Sequence, residues 1–227
     1  MKRPPRLYFS FRSPYSWLTV QRLRAAVPDA DTSLEWLPYW DPDEVTERAL
    51  KARGAQFHYV QMSRAKHLYL LFDTKRLAQR LGVAMAWPID VDCWWELPHL
   101  AFLAARREGR ASAFYDEIVS ARWGRGEDIC APDVVRRAAE AAGFDPALAV
   151  GAPDDEAIRA EAVDCLATAY DDDVFGIPYL KWGRHRFWGY DRLDGFLEVW
   201  AQAAPAAPVA APTGQVAFDT DTAGGCG

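Results

Sequence analysis

Cysteine is scarce in this chain and unpaired along it. The four cysteines, Cys93, Cys130, Cys165 and Cys226, stand far apart, so no Cys-x-x-Cys motif exists to run dithiol–disulfide exchange. They and the four histidines also lack the paired spacing of zinc ligands. No metal is expected, and each cysteine reads as a small buried or merely exposed hydrophobe. Asparagine is absent altogether, and only 5 of the 26 basic residues are lysine. No basic block is present, and the formal net charge of −6 argues against nucleic acid as the main partner. Runs long enough to span a bilayer are missing as well. The apolar stretch after the basic Met1–Arg6 is broken by Arg12 and lacks a cleavage site, so neither signal peptide nor membrane anchor is read and a cytoplasmic location is the expectation. No internal repeat is apparent.

What is present suits a folded enzyme-sized chain. With 227 residues, half of them hydrophobic, it can bury a sizeable core as one domain or as one domain carrying a large insertion. Leu7 to Phe11 reads as a strand, and Ser16 to Val27 as an amphipathic helix with Trp17, Val20, Leu23 and Val27 on one face. Between them Ser13 suits the N-cap and Pro14 the first helical position. Such a helix start exposes N–H groups and positive partial charge, and so favours a thiolate; a good cap would by itself also account for the Ser-Pro pair.

A second strand is expected over Leu34 to Tyr39, then helices at about 44–53, 65–81, 94–108, 111–122, 132–142 and 155–170, with Gly82, Gly109 and Gly143 as stops. Near the end, Gly176-Ile177-Pro178 precedes the run Tyr179–Trp182; a proline there marks an edge or a cis bond. Gly183-Arg184 then turns the chain into His185–Trp188, and Gly189–Leu193 opens a helix reaching about Ala203. Beyond it the Ala/Pro/Val-rich and then glycine-rich stretch reads as a flexible tail without chemistry, and Cys226 is misplaced for prenylation.

Three of these segments carry a resemblance. Ser13-Pro14-Tyr15-Ser16, Phe175-Gly176-Ile177-Pro178 and Phe187-Trp188-Gly189-Tyr190-Asp191-Arg192-Leu193 resemble the 2-hydroxychromene-2-carboxylate isomerase family. That family is similar to kappa-class glutathione transferases and belongs, with disulfide oxidoreductases of the periplasmic type, to the thioredoxin-like group. Ala65-Lys66, Asp73, Arg76 and Trp123–Ile129 agree, so the resemblance spans roughly residues 6 to 200. It implies an α/β thioredoxin-like fold with a large all-helical insertion. Residues 1–42 and 172–201 would form the thioredoxin-like domain, 43–171 the insertion and 202–227 the tail.

The resemblance also implies a glutathione site. Ser13 and Pro14 would lie at the sulfur, Ile177 and Pro178 along the cysteinyl backbone, and the turn Gly189, Tyr190, Asp191, Arg192 at the γ-glutamyl end, with Asp191 meeting its ammonium group; Lys66 would meet a carboxylate. Ser13 and Ser16 replace the cysteine pair of the disulfide exchangers. A hydroxyl there forms no mixed disulfide but can donate a hydrogen bond to a bound thiolate. The implied activity is thiol-dependent isomerisation of a conjugated aromatic or enone-type substrate by addition, bond rotation and elimination. Arg12 stands where family members keep a small or apolar residue, and the asparagine many carry before the lysine is missing, with Gln56 the nearest candidate; another low-molecular-weight thiol therefore stands beside glutathione as cofactor. A kappa-like transferase releasing a stable conjugate and a non-catalytic thioredoxin-like binding protein are the alternatives. A small aromatic molecule is the expected partner, and relatives suggest a homodimer. Trp36, Trp40, Trp87, Trp94, Trp95 and Trp123 are candidates for a pocket lining or for core, and His58, His67 and His99 receive no role.

Overall fold

The sheet is built around β1 (Arg6–Phe9), whose Leu7, Tyr8 and Phe9 are wholly buried in the computed structural model, which describes residues 4–58 and 62–202. A strand covered on both faces needs a continuous apolar run, as here, in place of alternation. β1 pairs in parallel with β2 (Glu35–Pro38) and antiparallel with β3 (Tyr179–Trp182), which carries the edge strand β4 (His185–Trp188). The order β2-β1-β3-β4 is that of a thioredoxin-like sheet, and the α/β fold expected from the resemblance is the one observed. The exposed edge strand starts with His185 and Arg186, polar residues that discourage further strand pairing.

Helix α1 (Pro14–Ala26) joins β1 to the short α2 (Ala30–Ser33) and β2. Between β2 and β3 lie α3 (Glu44–Ala52), α4 (Arg64–Arg80), α5 (Glu96–Arg107), α6 (Ala111–Val119), α7 (Pro132–Ala142), α8 (Pro146–Gly151) and α9 (Glu156–Asp171). α10 (Leu193–Gln202) closes the described chain. The tail and Cys226 lie outside the described residues.

Two expectations need correction. The helix read over 111–122 is α-helical only to Val119 and continues as a π-helical turn, Ser120–Gly124. α2 and α8 were not foreseen, because 4 and 6 residues are too few to show a helical period. Gly82, Gly109 and Gly143 follow α4, α5 and α7 with positive φ, as expected of helix stops.

One continuous core joins the sheet to the helices after β2. Phe9 meets Phe11, Trp36, Phe102 and Tyr115 edge-on at centroid distances of 5.0–5.8 Å. α5 is buried without a break from Glu96 to Ala105, as a helix enclosed on all sides must be. On the other side of β1, Asp172 after α9 accepts from Arg6 (2.7 Å), from the Tyr8 hydroxyl (2.5 Å) and from Lys181. Despite burial, those donors hold its carboxyl below the usual carboxylate range.

At the hairpin, the Ile177–Pro178 bond is cis and Gly189 N–H donates to Pro178 O at 2.9 Å. Gly189 has φ +99, and a Cβ on Gly176 would stand 2.7 Å from Trp188 Nε1. Both positions therefore need glycine, the first for its backbone angle and the second for the close approach of the indole.

Candidate functional site

The turn between β1 and α1 is held by a closed set of hydrogen bonds. Ser13 is the N-cap of α1, its Oγ accepting from Ser16 N–H at 3.2 Å, and Pro14 takes the first helical position. Ser16 Oγ in turn accepts from Ser10 N–H at 3.3 Å, and Ser13 N–H donates to Ser10 O at 3.1 Å. Because Ser13 Oγ acts as acceptor in the cap, its own proton stays available to donate outward. Ser13 is half-buried beside the exposed Arg12.

His99, given no role from sequence, anchors this turn from α5. Its Nε2 lies 3.2 Å from Phe11 N and 3.2 Å from Ser10 Oγ, and its Nδ1 is 2.7 Å from Trp95 O. These partners fix the tautomer: Nδ1–H donates to the Trp95 carbonyl and Nε2 accepts from Phe11 N–H. Total burial, aided by the nearby Arg122 cation, holds the imidazole down to about 3, so it is neutral at pH 7. The ring is stacked on Trp40 at 5.3 Å.

One turn earlier on α5, Glu96 is equally buried and accepts from Asp43 N–H at 2.8 Å. Burial pushes its carboxyl up to about 7. A buried acid with a raised folded value holds more protons folded than unfolded between about pH 4.5 and 7, so its contribution to stability falls as pH rises through that window. Glu96→Gln keeps the acceptor and removes the titration. Denaturation midpoints at pH 5 and pH 8 should show the variant gaining on the wild type by about 1–3 kcal/mol at the higher pH; parallel profiles would refute this.

The packing beside this turn is aromatic and cationic, and most of it is buried. Trp17 of α1 stacks on Trp123 at 6.0 Å, Trp123 meets Trp87 at 5.7 Å, and Trp87 meets His67 of α4 at 6.3 Å. Arg122, itself buried, lies 4.6 Å from the Trp123 ring and 4.9 Å from Trp95, and is gripped by both carboxylate oxygens of Asp90 at 2.8–2.9 Å. Arg12 lies 5.5 Å from the same Trp95 ring. The π-helical turn displays Arg122 and Trp123 side by side toward the core, a local device common at functional sites. Of the six tryptophans singled out in the sequence, Trp36, Trp40, Trp95 and Trp123 are core, while Trp87 and Trp94 are about two-fifths exposed at 37% and 43%.

The other predicted residues are distributed around this turn. Tyr15, in the first turn of α1, donates its hydroxyl proton to Asp73 of α4 at 2.7 Å. Burial, Asp73 and, more weakly, Tyr69 and Asp191 raise the phenol above its ordinary value. Asp191 belongs to the 3-10 turn Tyr190–Arg192, and that turn is bound to α1 by Arg22, which sits 4.8 Å from the Tyr190 ring and donates to Tyr190 O at 3.2 Å. Asp191 and Arg192 are exposed, while Ile177, Gly189 and Tyr190 are half-buried and Pro178 is buried. Ile177 precedes β3 and so stands outside its ladder. Lys66 is exposed in the first turn of α4, about 10 Å along the helix from Asp73, on the Trp87 side of the site. The structure thus brings Asp73 to Tyr15 at the start of α1, beside Ser13, and holds the 190–192 turn against Arg22, more than two turns further along the same helix, while Lys66 stands apart in the first turn of α4.

Sequence spacing missed one further juxtaposition. Cys93 and Cys130, far apart along the chain, come together beside Asp128, so the linear argument against paired thiols does not hold in space.

A model of the DSBA-like thioredoxin domain matches residues 6–200. A 2-hydroxychromene-2-carboxylate isomerase of Sphingobium xenophagum is 29% identical over 196 residues, covering 84% of this chain and 94% of that protein. The enzyme of the same name from Pseudomonas putida is 26% identical over 190 residues, 82% of this chain and 88% of its own. Among solved structures, a 2-hydroxychromene-2-carboxylate isomerase superposes with a TM-score of 0.69 at 23% identity, covering 88% and 95% of the two chains. The cytosolic disulfide reductase DsbM of Pseudomonas aeruginosa, solved with GSH, superposes at 0.57 and 17% identity over 88% and 99%. With the sheet order, the capped first helix and a family match running from β1 into α10, this chain belongs to the DSBA-like thioredoxin domain family.

Proposed function

We propose that the protein is an isomerase of the 2-hydroxychromene-2-carboxylate isomerase type, using glutathione or a similar low-molecular-weight thiol on a conjugated aromatic substrate. The observation that carries this reading is the serine-capped helix start after β1, a hydroxyl with its proton free to donate, at the position that the family resemblance matches to the cysteine of disulfide exchangers. The donor set fits an anionic sulfur, since Ser13 O–H stands at the positive end of α1, with the exposed Arg12 next to it in the chain. When bound, the thiol supplies the nucleophile that adds to the conjugated carbon and is released again by elimination.

The chain's own groups would do the rest. Ser13 would hold the sulfur as thiolate; Ile177, outside the β3 ladder, would offer its backbone to the thiol's peptide in the manner of an added strand. Asp191 would take the ammonium group, with Gly189, Tyr190 and Arg192 shaping the turn around it, and Lys66 would meet a carboxylate. Trp87 and Trp94 offer partly exposed ring surface for an aromatic substrate. Orientation and thiolate stabilisation together would lower the barrier. A cytoplasmic location and a homodimer complete the proposal. Among the described residues no helix is long and apolar enough to cross a membrane.

The test is calorimetric titration with glutathione followed by a geometric-isomerisation assay. Wild-type protein should bind saturably, and Asp191→Ala should weaken binding about tenfold, the scale of one exposed charge-assisted hydrogen bond. No binding, or equal binding by the variant, would remove glutathione from this site. A stable thioether as the product would instead identify a transferase.

A further inference from the structure

Cys93 lies in the irregular segment between α4 and α5, and Cys130 and Asp128 lie between the π-helical turn and α7. One sulfur from each cysteine and one carboxylate oxygen of Asp128 lie within 4.8 Å of one another. Cys93 Sγ is 4.0 Å from Asp128 Oδ1, and Cys130 N–H donates to that same oxygen at 2.9 Å, fixing the carboxylate between the two thiols. Around a tetrahedral zinc ion with Zn–S near 2.3 Å and Zn–O near 2.0–2.2 Å, such atoms stand roughly 3.6–3.8 Å apart. The three groups therefore need to close by only about 1 Å or less.

We infer that Cys93, Cys130 and Asp128 form a binding site for a thiophilic divalent cation, zinc foremost, with water in the fourth position. Two sulfurs and one carboxylate suit zinc and disfavour the hard cations that bind through oxygen alone. Both cysteines are half-buried while Asp128 is exposed, which gives the ion a route in from solvent. The charged groups facing the thiols are Asp90, Asp128 and Arg122, and Asp90 is already engaged by Arg122. Binding replaces two S–H bonds by two Zn–S bonds and releases two protons to solvent, so no oxidant is required.

The ion would clamp two segments that carry the aromatic wall. One holds Trp87, Trp94 and Trp95; the other follows directly on Arg122 and Trp123. They are already joined by the Asp90–Arg122 pair and by Ala86 N–H donating to Trp123 O at 2.7 Å. Metal would make that junction rigid without touching Ser13.

The experiment uses the full chain, reduced and freed of metal by chelation, and titrates it with cobalt(II). The expected result is one equivalent bound, with a near-ultraviolet thiolate-to-cobalt absorption that zinc displaces. Zinc should also protect two thiols from alkylation, located by peptide mass at Cys93 and Cys130. Cys93→Ser and Cys130→Ser should each lose the absorption, while Cys165→Ser and Cys226→Ser keep it. Asp128→Asn, which retains both thiols, should weaken cobalt binding about tenfold and keeps the test valid should a serine variant misfold. Absence of the absorption from reduced wild-type protein, unchanged alkylation with zinc, or a band surviving in both Cys93→Ser and Cys130→Ser would overturn the site. Recovery of a Cys93–Cys130 disulfide from protein that takes up no cobalt after reduction would overturn it too, and assign the pair to redox chemistry.

Discussion

Ser13→Ala is expected to lower kcat for isomerisation by about 10²–10³-fold, the scale of removing one donor from a developing or bound anion. The substitution removes two things of unequal size. As N-cap, Ser13 accepts from Ser16 N–H, and replacing such a cap by alanine costs about 1 kcal/mol of stability, too little to unfold a chain with this much core. As donor, its hydroxyl is the group proposed to hold the sulfur as thiolate, and no neighbouring hydroxyl can take over, because Ser16 Oγ is turned inward to Ser10 N–H. Ser13→Thr retains both functions and serves as the control. Steady-state kcat and KM measured beside a melting curve separate the two effects. A melting temperature lowered by a few degrees with kcat within twofold of wild type would leave Ser13 as a cap and nothing more.

His99→Leu is expected to destabilise the protein by about 3–5 kcal/mol and to flatten its acid sensitivity. Removing the imidazole strands Phe11 N–H and the Trp95 carbonyl in the core, each unmet group costing about 1–3 kcal/mol. The pH effect has a definite sign. The folded imidazole is held down to about 3 from an ordinary 6.5, so the unfolded chain binds the extra proton anywhere between these values. Stability from this group is complete above pH 6.5 and is lost as pH falls toward 3, with a full span on the order of 5 kcal/mol. Urea midpoints from pH 4 to 8 should fall toward acid in the wild type and less steeply in the variant. Equal slopes would mean that His99 is not the buried neutral base described. Activity should fall with stability for a geometric reason, since Phe11 N–H and Ser10 Oγ are the points at which α5 fixes the turn leading to Ser13.

Features set by neighbours along the chain were legible in the sequence. Ser13-Pro14 could be recognised as a helix start because capping depends on residues three apart, and the 179–188 hairpin because its turn and runs are contiguous. The helix over 132–142 has the bounds expected of it. Features set across the fold were not legible. His99 reaches a turn 88 residues away, and although Leu97, Leu100, Phe102 and Leu103 around it mark an apolar segment, nothing in that segment identifies the partner it meets. The 82–95 segment lacks period and so revealed neither the Asp90–Arg122 clasp nor the approach of Cys93 to Cys130. The π-helical turn escaped notice because it differs from the preceding α6 in hydrogen-bond register, whereas its residue types are ordinary for a helix. Glu96 lies in the first turn of α5, where an acidic residue is ordinary, and its burial follows from contact with the distant Asp43.

The placement of β1 has a consequence for how the chain comes off the ribosome. Its parallel neighbour β2 follows within a few dozen residues, but its other neighbour, β3, brings Lys181 opposite Arg6. At roughly 5–20 residues per second, about 7–30 seconds of synthesis separate the first half of that sheet from its completion. Throughout that interval one side of the most apolar strand has no hydrogen-bonding partner. The helices made meanwhile, α5 among them, can cover the apolar face of β1, as Phe102 covers Phe9, but the N–H and C=O groups along its open edge wait for the hairpin.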